Sequence, residues 1–79
     1  MTRDEALRDE TQRLRQLQMT VRLVMSIISQ SNLSFEEAAR LVANTRRAAL
    51  ALFPDKGETY DLIYQPRLQR LLREKYRLQ

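Results

Sequence analysis

Apolar residues recur at helical spacing along the first third of the chain. One apolar residue comes every seven positions, and two of the repeats add another three residues later: Leu7, Leu14, Leu17, Val21, Val24 and Ile28. This is the a/d spacing of a coiled-coil seam. Thr2 followed by Glu5 has the pattern of a capping box, which begins a helix. The pattern predicts a long amphipathic helix over residues 3–29.

A second helix is predicted after a short connector. Ser34 and Glu37 repeat the capping-box spacing, and apolar residues follow at helical intervals as far as Phe53. Pro54 cannot continue the helical hydrogen bonds, so the helix is expected over residues 35–53. Because the connector is short, the first two helices should form an antiparallel hairpin.

The last third of the chain contains the sole glycine and both prolines. Residues 54–65 are interpreted as a connector with a short turn of helix. Pro66 suits the first turn of a helix, which predicts a basic C-terminal helix over residues 66–78. No segment alternates apolar and polar residues as a strand would. We therefore expect an all-α fold in which residues 1–79 form a single small helical domain.

Two shorter segments also carry expectations. The stretch 19–28, MTVRLVMSII, is apolar on most sides, which predicts burial within a bundle. Tyr60 and Tyr64 lie four residues apart, and we expect both rings to pack over the core with their hydroxyl groups in water. An exposed tyrosine docking patch is the alternative interpretation.

The positive charge of the chain is concentrated at its C-terminal end. Residues 1–65 carry nine positive and nine negative groups, so the whole net charge of +4 lies in residues 66–79. A solvated helix face is the ordinary explanation of such a run, and attraction of nucleic acid or another anion is the functional one. The candidate contacts in the last helix are Arg67, Arg70, Arg73 and Arg77.

The composition argues against catalytic and metal chemistry. The chain has no cysteine and no histidine, and its single glycine excludes a glycine-rich phosphate loop. Neighbouring acidic residues on a helix point about 100° apart, so they do not converge on a cation. We expect no enzyme activity, no cofactor and no metal site. No apolar run approaches the length of a membrane span, and a cytoplasmic location is the default expectation.

Residues 34–53, SFEEAARLVANTRRAALALF, resemble bacterial helix-turn-helix segments in which an EAA start precedes a turn and a basic second helix. The matching positions are Glu37-Ala38-Ala39-Arg40-Leu41 and Arg46-Arg47. The resemblance implies that Thr45, Arg46 and Arg47 approach DNA, with the arginines contacting phosphate or guanine. The sequence departs from that pattern where Ala43 replaces the usual turn glycine and Asn44 an apolar residue.

The length of the first helix favours assembly. It should be about nine residues longer than the second helix, so its N-terminal turns lack a partner there. Either the last helix folds back over them or a second copy of the chain covers them, with fraying turns of a monomer as the alternative. We expect a non-enzymatic helical protein that forms a homodimer through the seam and contacts another macromolecule, an unknown protein among the candidates. A nucleic-acid-binding module is the second hypothesis.

Overall fold

The computed structural model describes residues 2–77, and within them the chain forms four α-helices and no strand. They are α1 (Arg3–Gln30), α2 (Phe35–Leu52), α3 (Gly57–Ile63) and α4 (Gln65–Tyr76). The predicted all-α fold is confirmed. The first two helices differ from the expected bounds by one residue at their C-terminal ends.

The first two helices begin where their capping residues predict. The hydroxyl of Thr2 accepts a hydrogen bond from the backbone N–H of Glu5 at 3.2 Å. Ser34 and Glu37 form a complete capping box, with reciprocal bonds of 3.1 and 3.2 Å. These bonds satisfy N–H groups that have no partner within the helix. Hydrogen bonding with the side chain and with the backbone N–H of Ser34 holds the pKa of the Glu37 carboxyl below its ordinary value.

The segment between α2 and the last helix is more ordered than expected. The predicted connector contains a complete seven-residue helix, α3, and α4 follows it after a single residue. Pro66 lies in the first turn of α4, as its missing N–H favours. That helix ends at Tyr76, and Arg77 has a left-handed backbone with φ of 53°. Residue 78, the expected last residue of the helix, lies outside the described residues.

The core lies between α1, α2 and α4. The first two helices form the expected antiparallel hairpin, since the end of α2 lies beside the middle of α1, where Arg13 donates to the carbonyl of Leu52 at 3.3 Å. The last helix packs on both. The buried apolar side chains are Leu17, Val21, Val24, Ile28, Ala38, Val42, Ala49, Tyr60, Leu68 and Leu72.

Four residues of the predicted oligomer interface belong to this core. Leu17, Val21, Val24 and Ile28 are at most 6% exposed, because α2 and α4 of the same chain cover them. In this conformation they are not accessible to a second copy. The a/d spacing arises equally from packing within a chain and from packing between chains, since both need one apolar stripe along the helix. Only Leu7 and Leu14 of the seam stay exposed.

The C-terminal helix docks on its own chain through one lysine and one tyrosine. The ammonium group of Lys75 donates to the carbonyls of Ile28 and Ser31, the latter at 2.6 Å. The hydroxyl of Tyr76 donates to the carbonyl of Leu33 at 2.7 Å. These carbonyls lie at or just beyond the C-terminal end of α1, where the helix dipole favours a cation. Lys75 is therefore a structural part of the fold.

A substitution at a core residue such as Ile28 lowers the free energy of unfolding by the same amount at every protein concentration. A substitution at an interface residue has an effect that changes with concentration. We expect Ile28→Val to lower the free energy of unfolding by about 0.5–1.5 kcal/mol, because it leaves a small cavity in a fully buried site. The loss, measured by urea denaturation, should be the same at all protein concentrations. Ile63→Val removes the same group from a half-exposed side chain and should cost less than about 0.5 kcal/mol in dilute solution. Equal losses in the two variants would contradict the assignment.

Candidate functional site

The N-terminal part of α1 projects from the body of the protein. Every residue of the segment 3–12, which we call the arm, is exposed. The arm has no cover because α2 ends opposite Arg13, whose guanidinium group lies 5.5 Å from the centre of the Phe53 ring. The protein measures 48 × 22 × 15 Å as a result. Leu7, the large apolar residue of the arm, is 52% exposed.

An open apolar cleft lies where the arm meets the body. It has a volume of about 180 Å³, and its walls include Leu14 and Leu17 of α1, Leu50 of α2, Phe53 just after α2, and Tyr60 and Ile63 of α3. We call this feature the cleft. It exists because α3 packs on α2 and α4 but does not reach α1. Lys56 is the sole charged residue among those that line it.

Tyr60 closes the inner end of the cleft. Its side chain is buried, and its hydroxyl group makes no hydrogen bond to any residue within 2–77. Burial raises the pKa of Tyr60, although the charge of Arg46 acts in the opposite direction. The expectation of a hydrated hydroxyl is therefore wrong for Tyr60, because α3 carries the ring into the core. The ring centre of Tyr64 lies 5.6 Å away.

An ion pair holds α3 against α2. Arg46 donates two hydrogen bonds to the carboxylate of Asp61, at 2.8 and 3.0 Å. Both side chains are partly exposed, so this bidentate contact orients α3 more than it stabilises the fold. The guanidinium of Arg46 holds the pKa of the Asp61 carboxyl below its ordinary value. Arg46, a predicted DNA contact, is engaged within the chain.

A second apolar surface lies on the opposite side of α1. Met19 and Leu23 are 70% and 62% exposed, and we call this pair with its neighbour Gln16 the outer patch. Burial of the whole segment 19–28 was expected, but both residues lie two positions from Val21, which is about 200° around the helix. Since α2 and α4 pack on the Val21 side, no other part of the described segment 2–77 covers them. The charged residues beside the outer patch are Arg15 and Arg22.

The predicted basic contacts have different surroundings. Arg70 and Arg73 lie on the exposed side of α4, Arg67 lies at the edge of that side, and the exposed Arg77 directly follows the last residue of the helix. Arg70 pairs with Glu74 at 2.9 Å. Arg47, on α2, donates to the side-chain oxygen of Asn44 at 3.5 Å. In the described range, Arg67, Arg73 and Arg77 form no ion pair.

The helix-turn-helix interpretation of residues 34–53 is wrong. The segment forms one uninterrupted helix, because Ala43 favours helix where the family usually has a turn glycine. Thr45 was expected to approach DNA, but it is buried and its hydroxyl donates to the carbonyl of Leu41 at 2.8 Å. No separate recognition helix is available for a DNA groove in this segment.

The cleft, the outer patch and the exposed arginines of the C-terminal region are the candidate sites of this chain. Among residues 2–77, no three acidic side chains lie close enough together to hold a metal ion. None of the helices described here has the length and apolar character needed to cross a membrane. Comparison of the chain with protein-family models, with curated proteins and with solved structures gives no match.

The Arg46–Asp61 pair predicts an abnormal titration. The pKa of Asp61 is lower in the folded state than its ordinary value. The pair therefore stabilises the fold at pH values above the ordinary pKa, and this contribution is lost as the pH falls through the lowered pKa. In a carboxyl-selective NMR titration, Asp61 should protonate at lower pH than an unperturbed aspartate. Arg46→Gln should return its midpoint towards the ordinary value, whereas Arg47→Gln, one residue away, should leave it unchanged. An unperturbed midpoint in the wild-type protein would refute the pairing.

Proposed function

We propose that this chain is a non-enzymatic helical protein that self-associates, with a two-fold dimer as the simplest form, and contacts other macromolecules in that state. The observation that carries the proposal is the arm, a helical segment with an apolar residue and no cover from the rest of residues 2–77. A two-fold dimer is the commonest oligomer, and it covers the same surface on both copies. The cytoplasmic location expected from the sequence remains a prediction.

The surface area of the chain supports self-association. The accessible surface is 6185 Å², whereas a compact monomer of this mass exposes about 5,000 Å². The excess of about 1,200 Å² exceeds the roughly 800 Å² that each partner buries in a standard protein interface. The radius of gyration of 14.3 Å likewise exceeds the value of about 12 Å expected for a compact chain of this length. The chain therefore carries enough uncovered surface for one stable interface.

The chemistry of the side chains supports a role in binding over one in catalysis. The chain has neither histidine nor cysteine, and its serines therefore have no imidazole to activate them. The cleft is lined mainly by leucine and aromatic side chains, which provide apolar contact area. Apolar residues that are contiguous at the surface, as they are around the cleft, are typical of interaction surfaces.

Self-association is tested by sedimentation equilibrium across a wide range of protein concentrations. We expect the apparent mass to rise from the 9.4 kDa of one chain towards twice that value. The thermal midpoint should rise with concentration as well, because association stabilises the folded state by mass action. A constant mass of one chain at every concentration would reject the proposal.

A second candidate function is nucleic-acid binding through α4. The observation that favours it is the exposed face with Arg70, Arg73 and Arg77, in the region that carries the whole net charge of the chain. Side chains of this kind contact phosphates without reading the base sequence. Such binding is driven by the release of counterions and is therefore strongly weakened by salt.

Gel retardation with duplex and single-stranded probes tests the second function. At about 50 mM salt we expect retardation that declines steeply as salt is raised. The double variant Arg73→Glu with Arg77→Glu should abolish it by reversing two charges on the exposed face. Arg15→Glu with Arg22→Glu makes the same change in net charge on α1 and should retain most of the binding. Absence of retardation for every probe, or equal loss in both variants, would exclude specific use of α4.

A further inference from the structure

We propose that two copies of the chain pair reciprocally, each laying its arm across the cleft of the other. This inference rests on the proposed self-association and names the surfaces that form it.

The arm and the cleft are continuous with each other. Leu14 is the first apolar residue after the arm, and it is also a wall of the cleft. Leu7 lies seven residues earlier and therefore on nearly the same side of the helix, two turns further out. If a second arm runs antiparallel to the first, its Leu7 meets Leu14 of the other copy at the mouth of the cleft. In a two-fold contact the reverse pair forms as well, so both clefts are covered at once.

Because the arm and the cleft adjoin, the interface between two copies is large enough for a stable dimer. The arm and the cleft together form one uncovered surface on each copy, and the excess area calculated above is of the size that one partner buries in a standard interface. An arm docked on the cleft covers Leu7, Leu14 and Ile63, which are exposed in the single chain. A small ligand in the cleft would leave the arm uncovered.

The charges of the two surfaces are complementary. The arm has a net charge of −2, since its charged residues are Arg3, Asp4, Glu5, Arg8, Asp9 and Glu10, and Asp9 among them also pairs with Arg13 at 3.3 Å. Among the residues that line the cleft, the one charged side chain is the cation of Lys56. An acidic arm that approaches this lysine is attracted, and no acidic lining residue opposes it.

The outer patch is less suited to pairing with a copy of itself. It lies between Arg15 and Arg22, and no acidic residue lines the groove around it. Two outer patches facing each other would bring four arginines together, and such like-charge contacts are unfavourable. The arm and cleft have no such conflict.

Disulfide trapping tests the arrangement, because the chain has no cysteine of its own. A tagged Leu7→Cys chain is mixed with an untagged Ile63→Cys chain, unfolded and refolded together, and oxidised mildly. We expect a mixed disulfide of tagged and untagged chains in high yield. The control replaces Ile63→Cys by Leu23→Cys, which puts an exposed thiol in the outer patch. That pair should give little mixed product, because the proposed dimer holds it apart.

A second measurement uses substitutions that do not disturb the core. Leu7→Asp should raise the dissociation constant of the dimer by at least roughly tenfold, since a leucine that becomes buried is replaced by a charge. Leu23→Asp makes the same change in the outer patch and should leave the dissociation constant nearly unchanged. Both sites are exposed in the single chain, so the helical circular dichroism of each variant should match that of the wild type.

The outcomes separate this inference from the proposal on which it rests. A dimer that shows no Leu7–Ile63 disulfide and is dissociated by Leu23→Asp overturns the reciprocal arm arrangement but keeps self-association. A wild-type chain that stays monomeric overturns both. A dimer that forms the mixed disulfide and is weakened by Leu7→Asp supports the inference.

Discussion

The mismatch in length between α1 and the helices that cover it determines most other features of this protein. The first helix has 28 residues and the second 18, and the two run antiparallel from a short connector. Cover from α2 therefore ends near Arg13. The remaining chain forms one short helix and one of three turns, and neither extends beyond that point. An uncovered arm follows directly, because each residue of helix adds about 1.5 Å whether or not a neighbour exists to bury it.

The C-terminal helix α4 covers the end of the molecule opposite the arm. Lys75 and Tyr76 bind carbonyl groups at and beyond the end of α1, so the last helix lies over the C-terminal half of α1. These contacts show that the cations of the basic C-terminal region, residues 66–79, do not all serve the same purpose. Among residues 2–77, one of its five cations has a structural role and another pairs with Glu74, whereas Arg67, Arg73 and Arg77 form no ion pair.

The cleft has a different origin from the arm, namely the way α3 docks. Because α3 is short and is attached to α2 by Tyr60 packing and by the Arg46–Asp61 pair, it leaves a gap beside α1. Small chains bury a smaller fraction of their surface than large ones, and residues 2–77 of this chain fill neither the gap nor the surface of the arm. The arm and the cleft lie next to each other, and a second copy can cover both, since its arm fits the cleft of the first copy and its cleft receives the arm of the first copy. This is the physical basis for proposing self-association over a purely monomeric role.

Local chemistry allowed much of this fold to be predicted from the sequence. The starts of the first two helices follow from Thr2 and Ser34, whose side chains bond to backbone groups three residues away, and Pro54 and Pro66 act equally locally. An apolar stripe is also a property of one helix. What covers that stripe was decided only by tertiary structure, because the same spacing serves a partner helix in the same chain or in another. The partner of Arg46, fifteen residues distant, and the burial of the Tyr60 hydroxyl likewise depend on where α3 docks. The sequence by itself determined which segments are helical, except for the full extent of α3. Tertiary packing decided which helix faces are left for a partner, because that depends on how far each helix reaches along its neighbour.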